Sequence, residues 1–191
     1  MSVNIEVDLV AGFKAAFRGY PTGVAIISVA GPDGPAGLTA SSVASVSVAP
    51  PALSFSVMDS PSAKLITAAD SLVVNLLGAA HAGLAHDFAH SGGPRFTPEQ
   101  GWTTLPTGEP ALLEAQAVLR CVPLHRVAVG ASTVLIASVT SVGIGTAGGR
   151  LIYHERRFLT ERPTRADAAS ATAPASSAMP VVESSRTPED R

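Results

Sequence analysis

Residues 37–58 set hydroxyls at Thr39, Ser41, Ser42, Ser45, Ser47, Ser54 and Ser56 among small apolar residues, with a Pro50-Pro51 break between them and no charged side chain. Hydroxyls and backbone N–H groups beside a tight bend can hold an anion such as a phosphate without lysine or arginine, because several oriented dipoles converge on it. The same residue types also serve turns and the wet faces of strands, where they bond to nearby backbone. The residues by themselves leave both readings open. Just downstream, Ser60 followed by Pro61 is a helix start, with a capping side chain and a proline at the first helical position. Ser62 and the amides of that first turn would face any anion nearby.

Other chemistry-bearing residues are sparse. His86 and His90 stand four apart, a spacing that can present two metal ligands on one helix face. No glutamate lies between them where a metalloprotease needs one, and no further ligands cluster nearby, so they read as surface histidines and no metal is expected. There is no nucleophile elbow, no Walker loop and no dinucleotide-type glycine motif after a strand. Gly143-Ile-Gly-Thr-Ala-Gly-Gly lies between strand-like runs and reads as a flexible hairpin. The single cysteine, Cys121, excludes an intramolecular disulfide and a cysteine zinc site and is compatible with a reducing cytoplasm. Its alternating apolar setting reads as a buried small hydrophobe.

The elements that must position these groups are mostly strands. Residues 8–18 place Leu9, Val10, Phe13, Ala16 and Phe17 near one helical face, with Asp8 as cap and Gly19 as stop. Residues 23–30 form a Val/Ile-rich strand that turns at Gly31-Pro-Asp-Gly and returns from Ala36. Residues 43–48 and 52–58 alternate with period two, predicting half-buried strands with one greasy and one hydroxyl-lined face. Residues 72–77 read as a short buried strand and residues 81–90 as a short helix with Leu84, Ala85 and Phe88 inward. Residues 91–109 form an irregular loop carrying Arg95, Phe96 and the sole tryptophan, Trp102. Residues 112–122, 125–129 and 133–144 read as long strands, and residues 151–158 as a last strand or short helix. Many strands with few, short helices predict a mainly β fold, a closed or nearly closed barrel.

A chain of 191 residues fits one domain, here residues 1–162, followed by an Ala/Ser/Thr/Pro-rich tail over 163–191. Without apolar periodicity that tail cannot offset its ordering entropy, so it is expected to be disordered. A net charge of −2 and the lack of a basic stripe argue against nucleic acid as a partner. The first residues show neither a basic segment nor an apolar core of a leader, and no run of about 18 apolar residues occurs. The expectation is a soluble, cytoplasmic protein without a membrane partner.

The stretch Gly37-Leu-Thr-Ala-Ser-Ser-Val-Ala-Ser-Val-Ser-Val-Ala-Pro-Pro-Ala-Leu, preceded by Pro21-Thr-Gly-Val, resembles the signature of the flavin reductase family with the FMN-binding split-barrel fold. Ser71-Leu-Val-Val-Asn-Leu-Leu, Leu84-Ala-His-Asp-Phe-Ala, Pro110-Ala-Leu-Leu-Glu-Ala, Leu119-Arg-Cys and Leu151-Ile-Tyr-His-Glu-Arg-Arg-Phe extend the resemblance across roughly residues 10–160. It implies a split β-barrel with a few short peripheral helices and an NAD(P)H-dependent flavin reductase. Such an enzyme supplies reduced FMN, or FAD, to a partner monooxygenase, and it is typically a homodimer. By the resemblance, Thr39, Ala40, Ser41, Ser42 and Ser45 meet the flavin phosphate and ribityl chain, with Ser56, Val57, Ser60 and Ser62 completing the cradle. Phe88 and Arg95 match positions near the flavin, and Tyr153 and Arg157 a terminal motif near the subunit boundary. Core packing for Phe88 and solvation for Arg95 are the competing readings.

One departure is informative. Where the family commonly carries Gly-Asp-His near the nicotinamide and flavin ring, this chain has Gly130-Ala131-Ser132. An acid and an imidazole are missing from the implied redox face, which would weaken NAD(P)H binding or turnover. Two alternatives follow: a flavoprotein with tightly held FMN acting directly on an organic substrate, and a flavin-binding subunit without reductase activity. No catalytic side chain is assigned.

Overall fold

The computed structural model describes residues 8–145 and 148–161. The expected disordered tail lies outside the described residues. Helix α1 (Leu9–Arg18) is capped by Asp8, whose carboxylate accepts from the Val10 amide at 3.1 Å. It buries none of its residues, and Leu9, Val10, Phe13 and Phe17 stay exposed. The strands are β1 (Thr22–Gly23), β2 (Ala25–Gly31), β3 (Gly34–Ala40), β4 (Ala44–Val48), β5 (Pro51–Met58) and β6 (Leu72–Leu76). Further along come β7 (Trp102–Thr104), β8 (Pro110–Leu112), β9 (Ala117–Val129), β10 (Ser132–Ile144), β11 (Arg150–His154) and β12 (Arg157–Glu161). Two more helices, α2 (Pro61–Ala68) and α3 (Ala82–Ala89), pack against them.

Seven strands form one antiparallel sheet in the order β3-β2-β6-β9-β10-β5-β4, curled into an incompletely closed barrel. Alternation along β2 and β6 sends Ala25, Ile27, Val29, Leu72 and Val74 into the barrel interior, where they meet Leu53, Phe55, Leu135 and Ile66 of α2. The opposite face sends Val24, Ile26 and Val73 outward beneath α3 and β8, against Phe88 and Leu112. Strands buried on both faces are written as continuous apolar runs, as Val24–Val29 is apart from Ser28. That serine and Asn75 make the polar exception. The Asn75 amide donates to the Ile26 carbonyl and to Ser28 Oγ, both at 3.0 Å, and accepts from the Leu112 amide at 2.9 Å. Ser28 Oγ in turn donates to the Pro110 carbonyl at 2.7 Å.

Most expected elements lie where the periodicity placed them, with three corrections, the first being that the expected irregular loop over 91–109 contains a short strand, β7, paired with β8. The expected strands over 112–122 and 125–129 are a single strand, β9, beginning at Ala117. Pro123 does not break it, because it sits beside a bulge where Leu124 has no partner, past the last residue that pairs with β6. Residues 151–158 are neither one strand nor a helix but a hairpin, in which Glu155 and Arg156 turn with φ of 48° and 63°. A two-residue loop with both φ positive favours Asn-Gly, and other residues there cost roughly 1–2 kcal/mol each. The sequence therefore carries no turn signal at that point.

The loop over 91–109 is tied down by a buried carboxylate. Glu109, only 1% exposed, accepts from Ser71 and Thr107 hydroxyls and pairs with Arg120 at 2.8 Å. Burial works against its ionisation, but those hydrogen bonds outweigh it and hold the carboxyl below its ordinary value of 4.5. The folded-state value thus lies under the unfolded one, so the stabilisation is complete above that ordinary value and is lost as pH falls through the folded value. Glu109→Gln should cost about 3 kcal/mol near neutral pH, since Arg120 keeps its charge without a counterion. The cost should shrink on acidification, and urea denaturation at about pH 7 and about pH 3 measures both.

Candidate functional site

The hydroxyl-rich stretch runs along the seam of the barrel. Strand β4 pairs with β5 only as far as Ser54, which leaves the backbone of Ser56 uncovered on that side. Ser42 covers it: its Oγ accepts from the Ser56 amide at 2.9 Å and donates to the Ser56 carbonyl at 3.1 Å. A side chain thereby does the work of a strand neighbour. Thr39 Oγ1 donates to the Ala85 carbonyl at 2.7 Å and so fastens α3 to β3. At the start of α2, Ser60 Oγ accepts from the Ala63 amide at 3.1 Å and Ser62 Oγ accepts from Arg95 Nη1 at 3.1 Å.

These bonds sort the hydroxyls by what they have left to give. Thr39 and Ser42 have already donated their protons to carbonyls. Ser60 and Ser62 only accept, so their O–H protons remain, and Ser41, Ser45 and Ser56 use no side-chain hydrogen bond among the described residues. The chemistry of this donor set fits an anionic or hydroxyl-bearing ligand. The remaining candidates are placed differently. Ala40 and Val57 turn their side chains into the barrel core. Phe88, 1% exposed, meets Phe96 edge-to-face at 5.0 Å and Trp102 at a tilt at 5.4 Å, inside the protein. Arg95 bonds the carbonyls of Gly37, Phe88 and His90 as well as Ser62, linking α3, β3 and the first turn of α2.

Two recesses flank the seam. The larger, of about 860 Å³, opens between α3 and the β11–β12 hairpin; Thr39 and Ser41 lie on its floor, His86 and His90 on one wall, Arg156 and Arg157 on the other. Tyr153 and Phe158, rings 5.2 Å apart, complete the hairpin wall. The histidine rings lie 4.2 Å apart, and His90 Nδ1 meets the His86 carbonyl at 2.8 Å, which requires the proton on Nδ1. The smaller recess, about 290 Å³, adjoins the β9–β10 turn and is lined by Val57, Asp59, Lys64, Ala131 and Ser132. The structure therefore brings Thr39 and Ser41 together in one recess and sets Val57 beside the other. Sequence reasoning missed Arg156 as a lining residue, since nothing marked the tight turn that presents it. Among the described residues no group of three or more side chains could hold a metal ion. Cys121 is buried, and burial pushes its thiol up to about 12, far from a reactive thiolate.

The barrel thus places free hydroxyl donors along its seam and two guanidinium groups in the adjoining cleft, the donor chemistry that suits an oxygen-rich anion. Residues 17–162 match the family model described as Flavin reductase like domain. The NADH:FMN oxidoreductase of Rhodococcus qingshengii is 38% identical over 167 residues, covering 84% of this chain and 86% of that protein. The solved NADH:FAD oxidoreductase SgcE6 of Streptomyces globisporus C-1027 aligns with a TM-score of 0.75 at 26% identity, covering 86% of this chain and 99% of that one. The styrene monooxygenase flavin reductase of Pseudomonas putida S12 aligns with a TM-score of 0.71 at 26% identity, covering 80% and 99%. The chain belongs to the flavin reductase-like family.

Gly37, at the head of the seam, is there for packing. A Cβ would come within 2.9 Å of the Ile27 carbonyl and 3.1 Å of both Phe88 and Phe96. Gly37→Ala should cost about 2 kcal/mol through overpacking and should perturb the emission of Trp102, the only tryptophan, which packs against both rings. Denaturation followed by tryptophan fluorescence checks both.

Proposed function

We propose that the chain is an NAD(P)H:flavin oxidoreductase that binds FMN, with FAD as the other flavin of its relatives, and passes reduced flavin to a separate monooxygenase. The observation that carries this reading is the set of unspent hydroxyl protons along the seam of a chain that belongs to this family. Ser41, Ser45, Ser56, Ser60 and Ser62 would donate to the phosphate and ribityl oxygens, with Thr39 accepting. Ala40 and Val57 would contribute backbone groups, since their side chains face the core. Ser42 would hold Ser56 in register, and Arg95 would position Ser62 while its contact to the Phe88 ring keeps that corner rigid. A bound flavin supplies the hydride-accepting centre, and the protein supplies orientation and exclusion of water. The chain is further proposed to act as a homodimer in the cytoplasm.

A second reading is favoured by one observation. The β9–β10 turn, Gly130 and Ala131 followed by Ser132, offers no titratable side chain to the recess beside it. With no acid or imidazole on the turn itself, and the recess's Asp59 paired with Lys64 in solvent, a flavin held tightly and used directly on an organic substrate is the competing role.

Anaerobic stopped-flow mixing of protein and FMN with NADH or NADPH separates the two. Rapid bleaching with freely exchanging flavin is the expected result; negligible bleaching with flavin retained through purification would instead support the direct flavoprotein. Ser41→Ala should weaken FMN roughly tenfold, the worth of one hydrogen bond to a charged group, as read by quenching of flavin fluorescence.

A further inference from the structure

The cleft between α3 and the β11–β12 hairpin holds more positive charge than the seam needs. Arg156 and Arg157 line one wall, and among the described residues neither makes an ion pair or side-chain hydrogen bond. Among the described residues no carboxylate lines the cleft; Glu155, in the same turn, is exposed and does not line it. Across the opening, His86 and His90 add two imidazoles on α3.

The backbone that presents the arginines is strained, and the strain is held from outside. Glu155 and Arg156 occupy the left-handed region, and the Glu155 amide donates to the Arg18 carbonyl at the last turn of α1 at 3.0 Å. A helix that buries none of its own residues thus serves to fasten this turn. Left-handed residues other than glycine persist where the surroundings over-determine them, and they gather at ligand clamps.

We infer that Arg156 and Arg157, facing His86 and His90 across the cleft, bind the diphosphate bridge of a dinucleotide. The inference rests on the reading of this chain as a flavin reductase and names the ligand class of its larger recess. Two guanidinium groups with no carboxylate partner among the described residues line this cleft, so a single phosphate held by one leaves the other unanswered, whereas a diphosphate brings two anionic groups. A volume of about 860 Å³ lies toward the upper end of small-molecule sites. Guanidinium groups recognise phosphate oxygens bidentately. Two dinucleotides carry this bridge, NAD(P)H and FAD, and FMN carries none.

The test titrates the full chain with ADP-ribose, which has the diphosphate but neither nicotinamide nor flavin, by isothermal calorimetry. The wild-type chain should bind it, and Arg156→Gln/Arg157→Gln should weaken it at least about tenfold. The salt dependence of binding should flatten in that variant as well. A turn variant, Glu155→Asn/Arg156→Gly, relieves the strain while removing one guanidinium. It should melt about 4 °C higher yet bind ADP-ribose more weakly, which separates lost binding from lost folding. In the glutamine variant, a raised KM for NADH with FMN as acceptor assigns the bridge to the nicotinamide dinucleotide. Weakened FAD with an unchanged KM assigns it to the flavin. No measurable ADP-ribose binding by the wild-type chain, equal binding by the glutamine variant, or an equal loss of FMN and ADP-ribose would overturn the inference. FMN binding and bleaching by the wild-type chain report separately on the flavin reductase reading, so either can fail without the other.

Discussion

The amide of Asn75 is the interaction on which the rest of the molecule leans. It sits fully buried on β6, a strand covered on both faces, and all of its hydrogen bonds go to other elements: β2 through Ile26 and Ser28, and β8 through Leu112. A buried amide is costly unless satisfied, and this one is satisfied only when β2, β6 and β8 are in one register. Apolar packing alone would tolerate a slipped pairing that kept greasy residues inward. The amide would not, because a shift would strand its donors and acceptor among Ile26, Val73 and Leu112. Register at the barrel centre then propagates through β9 and β10 to β5, and so to the position of Ser56 on the seam.

The seam shows how an open edge can become a binding surface. A closed barrel would cover the backbone of Ser56 with another strand and leave no room for a ligand. Here β4 stops short, and a single hydroxyl from Ser42 satisfies both backbone groups. The neighbouring serines are thereby released from structural duty. Arg95 acts similarly on the other side of β3, taking up the carbonyls of Gly37, Phe88 and His90, so that the helix starts and ends around the seam need no further partners. Arg126 does the same at the far end of α2, donating to the carbonyls of Thr67 and Ala69. Fixed side chains of this kind keep the surroundings rigid while leaving uncommitted hydroxyls accessible.

Much of this was legible in the chain. Period-two runs in residues 43–58, the Gly31-Pro-Asp-Gly turn and the Ser60-Pro61 cap predicted β2 to β5 and the start of α2, because their local preferences agree with the fold. What stayed hidden depends on partners distant in sequence. Nothing in Ser42 distinguishes it from Ser41, yet one is consumed by Ser56 and the other faces a cleft. Nothing in Arg156 signals a turn, since the residues there oppose the conformation they adopt. Phe88 illustrates the converse: its apolar spacing on α3 marked it as inward, and the structure fills that inward space with Phe96 and with Trp102 of β7, residues of a stretch without periodicity.

The distribution of charge around the seam constrains how such a site could work. The cleft beside α3 carries permanent positive charge in its arginines, whereas the recess at the β9–β10 turn has its ionisable residues only at the rim. There Asp59 and Lys64 approach to 3.7 Å with both side chains largely exposed. An exposed pair of this kind is screened by salt and contributes little field within the recess. Ala131 and Ser132 add volume and a hydroxyl but no charge. The recess beside the turn is therefore only weakly polar. Hydride transfer to a bound flavin can proceed in such surroundings, because its requirement is close, dry alignment of two rings rather than a titrating side chain. The missing acid and imidazole thus bear on how firmly the rings are held more than on whether the transfer is chemically possible.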